Sequence, residues 1–272
     1  FDKKTGVQVK GWVKDSSGQA IRYFTSGAGY MVTGFITDSN GNTRHFDETT
    51  GLLTRGWLTD TDEYKYYFYS GSGVMAKGWV ENKKEQKRYF SQANGRMCTG
   101  WVKSSAGNYR YFKPSNGIMY TGLEKIDSDY YYFSKSTGVR YQKGFGTVGS
   151  KKYYFNPSDG KAKTGWLELD GKKYYFDSNG LMQRGMIPLN GKIYLFGADG
   201  AMQYGFYSDP TAGTRYFKTD GSMAANELLT VGTNKYYFNT NGVMATGLTN
   251  IGGVTYLFGA DGAMQYGWYT DA

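Results

Sequence analysis

A unit of 20 to 23 residues recurs along almost the whole chain, and this repeat constrains the fold more than any other feature. One copy, residues 165–185, reads GWLELDGKKYYFDSNGLMQRG. A unit this short buries its apolar face only by stacking on its neighbours, and a fixed period in this range is typical of a solenoid. The opening glycines are Gly11, Gly34, Gly56, Gly78, Gly100, Gly122, Gly144, Gly165, Gly185, Gly205, Gly247 and Gly267, with Ala225 in the one slot that lacks a glycine. The closing phenylalanines are Phe24, Phe46, Phe68, Phe90, Phe112, Phe133, Phe155, Phe176, Phe196, Phe217, Phe238 and Phe258.

The pattern inside one unit predicts a β-hairpin. Asp170-Gly171 lies between two alternating runs, and a type I′ turn favours these residues because both central positions need positive φ. This turn places Trp166 opposite Tyr175 and Leu167 opposite Tyr174. By alternation one face carries Trp166, Glu168, Lys173 and Tyr175, and the other, the core face, carries Leu167, Leu169, Tyr174 and Phe176. We therefore predict an all-β solenoid of about twelve stacked hairpins.

The repeats extend over residues 1–272 as a single array, with longer units in 1–164 and shorter units in 165–272. Phe1 has the position of a closing phenylalanine, and residues 268–272 stop within a hairpin, so we expect the chain to be a fragment of a longer protein. The sequence YLFGADGAMQYG occurs at 194–205 and again at 256–267, an offset of three repeats. This offset is compatible with a triplet duplication or with three hairpins per superhelical turn.

Composition and motifs argue against several classes of function. No apolar run approaches the roughly 20 residues of a membrane span. The 32 basic residues are interspersed with 23 acidic ones, although net charge is +9, so a nucleic-acid partner is not expected. The single cysteine, Cys98, excludes an internal disulfide framework, and no Cys/His cluster predicts a metal or a cofactor. His45 stands where other units have tyrosine and is interpreted as a substitute ring, so no catalytic residue is predicted.

The Trp/Tyr face is the candidate for function. Aromatic rings on a polar face can stack on a sugar ring or box a quaternary ammonium group. Sites that are weak singly gain strength when many act on one polymer. The alternative is that the tryptophans are buried between hairpins and only hold the array together. The candidate ligand-binding residues are Trp12, Tyr23, Trp57, Tyr67, Trp79, Tyr89, Trp101, Tyr109, Tyr111, Tyr130, Trp166 and Tyr175.

The pattern GW-x(n)-GKKYYF-x-x-NG-x-M-x-x-G resembles the cell-wall-binding and choline-binding repeats of Gram-positive surface proteins. That superfamily includes the glucan-binding repeats of streptococcal glucosyltransferases and the C-terminal repeats of large clostridial toxins. The resemblance covers the whole chain. It implies stacked hairpins with ligand sites formed by aromatics of consecutive hairpins, in a non-catalytic module of a secreted or cell-surface protein.

The resemblance also separates the candidate ligands. Choline-binding members usually have tryptophan three positions before the closing residue, and here only Tyr109 and Tyr130 are aromatic at that position. We therefore expect a carbohydrate-binding module that attaches its protein to wall polysaccharide or extracellular glucan. The alternatives are choline on teichoic acid, recognised around Tyr109 and Tyr130, and a structural or adhesion stalk with no small ligand.

Overall fold

The computed structural model describes residues 5–267, which form 24 strands joined in twelve antiparallel two-stranded hairpins. Hairpins 1 to 12 are numbered in chain order, and the expectations for Phe1 and Trp268 lie outside the described residues. The strands are β1 Gly11–Lys14, β2 Ala20–Phe24, β3 Gly34–Thr37, β4 Thr43–Phe46, β5 Gly56–Thr59, β6 Lys65–Phe68, β7 Gly78–Glu81, β8 Lys87–Phe90, β9 Gly100–Lys103, β10 Tyr109–Phe112, β11 Gly122–Ile126, β12 Asp129–Phe133, β13 Gly144–Val148, β14 Lys151–Phe155, β15 Gly165–Leu169, β16 Lys172–Phe176, β17 Gly185–Leu189, β18 Lys192–Phe196, β19 Gly205–Asp209, β20 Gly213–Phe217, β21 Glu227–Val231, β22 Asn234–Phe238, β23 Gly247–Ile251 and β24 Val254–Phe258.

The hairpin β15–β16 confirms the predicted register. Trp166 pairs with Tyr175, and Leu167 pairs with Tyr174. Asp170 and Gly171 have φ values of +52° and +71°, as a type I′ turn requires. Tyr174 and Phe176 are buried in a cluster that also contains Met182, whereas Trp166 is exposed. The apolar and polar faces are therefore the predicted ones.

The loop after each hairpin connects that hairpin to the preceding one. In hairpin 4 the chain turns back after Phe90, so that Met97 bridges Phe90 and donates its amide to the carbonyl of Lys65 in hairpin 3, at 2.8 Å. The amide of Cys98 donates to Tyr89 of the same hairpin, also at 2.8 Å. Equivalent bonds recur along the chain, and ten closing phenylalanines are almost completely buried under these loops. They are Phe68, Phe90, Phe112, Phe133, Phe155, Phe176, Phe196, Phe217, Phe238 and Phe258.

Contacts divide the described residues into two units. The first unit runs up to Glu124 and includes Tyr132–Tyr141, and the second comprises Lys125–Tyr131 and the residues from Gln142 onward. Trp12, Trp57, Trp79 and Trp101 lie in the first unit, and Trp166 lies in the second. The single continuous array and the number of hairpins per superhelical turn stay predictions.

The unit without an opening glycine corrects one assignment made from the sequence. Ala225 was expected in the opening slot, but Glu227 is the residue that pairs with Phe238. The preceding Asn226 adopts the left-handed conformation, with φ +51°, which asparagine tolerates better than most residues. Asn226 therefore has the positive φ that the opening glycine has in the other units. The paired strand begins at the next residue, Glu227.

His45 occupies the ring position of hairpin 2, as the sequence predicted. It is 9% exposed, and its ring centroid lies 4.7 Å from that of Phe35 in an edge-on arrangement. Its Nδ1 lies 2.7 Å from the hydroxyl of Thr54. Burial lowers the pKa of His45 below its usual value of 6.5, although the charges of Glu48 and Asp47 oppose this effect.

This burial predicts a pH-dependent stability. Because the pKa of His45 is lower in the folded than in the unfolded chain, its contribution is complete above pH 6.5 and decreases as the pH falls below that value. We expect the urea midpoint of the wild type to fall more between pH 7.5 and 5.0 than that of His45→Tyr, which has the ring found in most other units. Equal pH dependence of the two proteins would contradict a buried neutral imidazole.

Candidate ligand clefts between consecutive hairpins

The five described tryptophans lie at the surface, each beside a tyrosine of its own hairpin. Their exposed fractions range from 39% for Trp101 to 51% for Trp57. The ring centroids of the pairs are 5.0–5.2 Å apart. A tryptophan that served only to join hairpins would be fully buried, and none of these five is. The predicted pairs that the structure brings together are Trp12–Tyr23, Trp57–Tyr67, Trp79–Tyr89, Trp101–Tyr111 and Trp166–Tyr175.

The next hairpin supplies further contacts to each tryptophan. The centroid of Trp79 lies 6.0 Å from that of Phe112, the closing phenylalanine of hairpin 5. The guanidinium carbon of Arg110, two residues before Phe112, lies 5.4 Å from the Trp79 ring. Arg88 lies over Trp57 at 5.4 Å, and Arg44 over Trp12 at 5.6 Å. In three hairpins, therefore, the arginine two residues before the closing phenylalanine is a cation–π partner of the tryptophan in the preceding hairpin.

A second type of cleft has tyrosine in the slot two residues before the closing phenylalanine. The Trp166 ring lies 5.2 Å from Tyr194 of hairpin 9. Phenylalanines at the tryptophan position have the same kind of neighbour: Phe35 with Tyr66, Phe145 with Tyr174 and Phe206 with Tyr236, all at 5.1 Å. We call these ring–Tyr clefts, and those at Trp12, Trp57 and Trp79 the Trp–Arg clefts.

Three consecutive hairpins and their loops form the clefts at Trp79 and at Trp166. The cleft at Trp79 has a volume of about 370 Å³ and the cleft at Trp166 about 340 Å³. The first is lined by Trp79, Val80, Glu81, Lys87, Arg110, Met119, Ser136 and Thr137. The second is lined by Trp166, Leu167, Glu168, Lys173, Tyr194, Met202 and Asp220. An aromatic ring with a rim of charged and hydroxyl groups is common to both.

The electrostatics of the two clefts differ. In the Trp166 cleft, hydrogen bonds from the side chain and amide of Ser222 lower the pKa of Asp220 to about 2, so this carboxylate is ionised at neutral pH. Lys192 Nζ lies 3.2 Å from Asp220. In the Trp79 cleft, Lys87 and Glu81 are 3.8 Å apart, and Arg110 adds a second positive charge.

Tyr109 and Tyr130 lie beside cations of the chain itself. The guanidinium carbon of Arg140 is 4.5 Å from the Tyr109 ring and 5.3 Å from the Trp101 ring. Lys125 Nζ is 5.6 Å from the Tyr130 ring, whose hydroxyl lies 3.2 Å from the side-chain oxygen of Asn179. The ligand-binding roles of these two tyrosines, and of the ten other candidate residues, stay predictions.

The sequence interpretation missed the partner from the next hairpin. It assigned no role to Arg88 and Arg110, whereas both lie half-buried over tryptophans. A signal was present in the slot two residues before the closing phenylalanine. Arginine there follows a tryptophan unit in three cases, and tyrosine there follows each of the units with Phe35, Phe145 and Phe206.

A stack of short hairpins with an aromatic cleft between consecutive repeats defines the class of this protein as a repeat-built binding module. The family model for the choline-binding repeat matches residues 84–121, 142–182 and 163–203. The model for a putative cell wall binding repeat matches residues 121–139 and 226–244. The chain belongs to the cell-wall-binding and choline-binding repeat superfamily.

Several solved structures from Streptococcus pneumoniae have the same fold. Choline binding protein F is 22% identical, with 94% of this chain and 98% of that chain covered and a TM-score of 0.68. CbpJ is 25% identical over 89% of this chain and 96% of that chain, with a TM-score of 0.58. The modular autolysin LytC, solved with a synthetic peptidoglycan ligand, is 19% identical over 94% of this chain and 53% of that chain, with a TM-score of 0.53. No curated protein sequence matches significantly.

Two further features concern membranes and metals. Between residues 5 and 267, no helix is long and apolar enough to cross a membrane. In the same part of the chain, no group of three or more His, Cys, Asp or Glu side chains is arranged to hold a metal ion.

Proposed function

We propose that this chain is a non-catalytic module that attaches a secreted or surface protein to bacterial wall polysaccharide or extracellular glucan. The observation that carries the proposal is the half-exposed tryptophan in a polar-rimmed cleft between consecutive hairpins. Trp79 is 48% exposed beside a rim that includes Glu81, Ser136 and Thr137. A sugar ring needs such a site, since its apolar face stacks on a ring while its hydroxyls take polar partners.

Repetition supports a polymeric ligand. The clefts are open and small, so a single cleft is expected to bind weakly. Several clefts on one polymer bind by avidity, which exceeds single-site affinity by roughly 10²–10⁴-fold when the geometry allows simultaneous engagement. The match of residues 121–139 and 226–244 to a putative cell wall binding repeat supports a wall-associated partner.

Choline is the second candidate, and the ring–Tyr cleft at Trp166 favours it. Tyr175 and Tyr194 each lie 5.2 Å from Trp166, edge-on, and the cleft also contains the carboxylates of Glu168 and Asp220. The three rings suit a quaternary ammonium group, and the charges of Glu168 and Asp220 are balanced in part by Lys173 in the same lining and by Lys192, 3.2 Å from Asp220. The choline-binding repeat model also spans residues 163–203. In the Trp–Arg clefts, by contrast, the positive charge of the arginine beside the tryptophan would repel an ammonium group.

Calorimetric titration of the whole chain with an α-glucan, with wall polysaccharide and with choline tests the two candidates. We expect Trp57→Ala/Trp79→Ala to weaken binding of at least one polysaccharide by about 10-fold or more, because two clefts are lost from a multivalent set. Tyr30→Ala serves as a control, since Tyr30 is 73% exposed outside the clefts. Trp166→Ala is expected to abolish any saturable binding of choline.

The outcomes separate the functions. Polysaccharide binding that survives the double Trp variant would exclude these clefts as the glycan sites. Binding of choline alone, lost in Trp166→Ala, would assign the module to choline-bearing teichoic acid. A chain that binds none of the three ligands would leave the structural stalk as its function.

A further inference from the structure

Two arginines of the first unit are held rigidly in the Trp–Arg clefts. Arg88 donates its Nε to the carbonyl of Asn116 at 2.8 Å, and Arg110 donates its Nε to the carbonyl of Thr137 at 2.9 Å. Each guanidinium also lies over the tryptophan of the preceding hairpin. Each arginine therefore touches the hairpin before its own and the loop after the next one, which fixes the orientation of its planar head group.

The terminal nitrogens of these two guanidinium groups have no partner in residues 5–267. Only the Nε hydrogen bonds and the ring contacts engage Arg88 and Arg110. Arg44 differs, because its Nη1 lies 2.8 Å from the carboxylate of Asp38. Burial lowers the pKa of Arg88, but the guanidinium remains charged at neutral pH. Arg88 and Arg110 are thus half-buried positive charges without a carboxylate partner among residues 5–267, whereas Arg44 is paired with Asp38.

The surroundings favour an anion at the unpaired edge. A guanidinium that stacks on a ring through its face keeps its edge for in-plane hydrogen bonds, and that edge matches phosphate or carboxylate oxygens. Lys87 and Glu81, 3.8 Å apart, line the same cleft as Arg110 and balance each other, so Arg110 leaves an excess of positive charge there. The hydroxyl-bearing Ser136 and Thr137 are also in the lining. The net charge of +9 makes approach of a polyanion favourable.

We propose that the clefts Trp57–Arg88 and Trp79–Arg110 each bind an anionic group of the polymer, a phosphodiester or a carboxylate, at the Nη edge of the arginine. The proposal rests on the polymer-binding function above and adds the charge class of the polymer. Neutral glucan would then contact the tryptophan alone, whereas an anionic polymer would engage both groups.

The test compares a neutral and two anionic polymers of similar length: dextran, poly(glycerol phosphate) and polygalacturonate. The whole chain and the variant Arg88→Gln/Arg110→Gln are titrated at low and at moderate salt. Arg22→Gln/Lys77→Gln removes the same charge and is the matched control. Arg22 donates its Nε to Thr50 at 2.9 Å in the same way, but within the described residues no tryptophan lies under it, and Lys77 is exposed.

We expect the double arginine variant to lose at least about 10-fold in affinity for one or both anionic polymers and less than about 2-fold for dextran, since charged hydrogen bonds are lost only with the former. The control should change anionic binding by less than about 3-fold. A preference for poly(glycerol phosphate) or for polygalacturonate would identify the phosphodiester or the carboxylate as the ligand group.

Four results would overturn the proposal. Equal weakening of dextran and anionic binding would make the arginines structural supports of a glycan site. Equal losses in the variant and the control would reduce the effect to overall charge. Dextran binding with no anionic preference would leave the polymer-binding function standing without an anion site, whereas failure of all three polymers would remove both. Thermal melting of each variant establishes that it is folded at the titration temperature.

Discussion

Replacing Gly117 with alanine is expected to destabilise the first unit by about 2–4 kcal/mol, because a strained backbone and a steric clash combine. Gly117 has φ +68°, in the left-handed region. A Cβ placed there would meet the Sδ of Met97 in the preceding loop and would lie 2.8 Å from its Cγ. The same close approach of a loop glycine to the methionine of the preceding loop recurs at Gly95 and Met75.

The matched control is Gly107→Ala. Gly107 has φ +78°, but a Cβ there has no neighbour within 4 Å, so only the backbone cost of about 1–2 kcal/mol applies. Chemical denaturation of both variants gives the difference that belongs to packing. Combining Gly117→Ala with Met97→Ala should recover part of that difference, because the side chain in the way is removed. Equal losses of unfolding free energy at positions 107 and 117 would show that the Met97 side chain moves away from the new Cβ at no cost.

Replacing Phe112 with alanine is expected to lower the free energy of unfolding by about 3–5 kcal/mol, the usual cost of emptying a buried phenylalanine site. Phe112 is 1% exposed and lies 6.0 Å from the ring of Trp79, so the cavity would open directly beneath the cleft. Phe112→Leu retains most of the apolar volume and should cost about 1–2 kcal/mol. Urea denaturation measures both, and a cost below about 1 kcal/mol for alanine would mean that neighbouring side chains fill the space.

The alanine variant should also change the environment of Trp79. The fluorescence of the tryptophans is expected to shift to longer wavelength as water reaches the floor of the cleft, whereas Phe112→Leu should leave it nearly unchanged. Loss of stability without a spectral change would mean that Phe112 stabilises the core but does not support the cleft at Trp79.

Features inside one repeat could be predicted from the sequence, because they follow from local rules. The register of β15–β16 follows from the positive φ of Asp170 and Gly171 and from the alternation of side chains about that turn. The Trp/Tyr neighbours follow in turn, since Trp166 and Tyr175 are directly opposite. The opening residue of hairpin 11 was mispredicted by two positions, as Ala225 instead of Glu227, because no glycine marks the start of this strand.

Contacts between repeats could not be predicted in the same way. The position of Arg110 over Trp79 depends on how far one hairpin is offset from the next, and no rule of alternation within a strand determines that offset. The side chain of arginine is long enough to reach either solvent or a neighbouring ring. Only the stacked structure distinguishes these two positions, and for that reason the sequence could identify the rings of the clefts but not the charges beside them.

The hydrogen bond from Met97 to Lys65 also has a consequence for the order in which the chain can fold. The partners are separated by 32 positions, and the bond from Met119 to Lys87 has the same separation. Each hairpin is therefore completed by residues of the next repeat along the chain. A polypeptide that emerges from its N-terminus onward can complete its hairpins one after another, so that only the most recently emerged repeat has an unsatisfied edge at any moment.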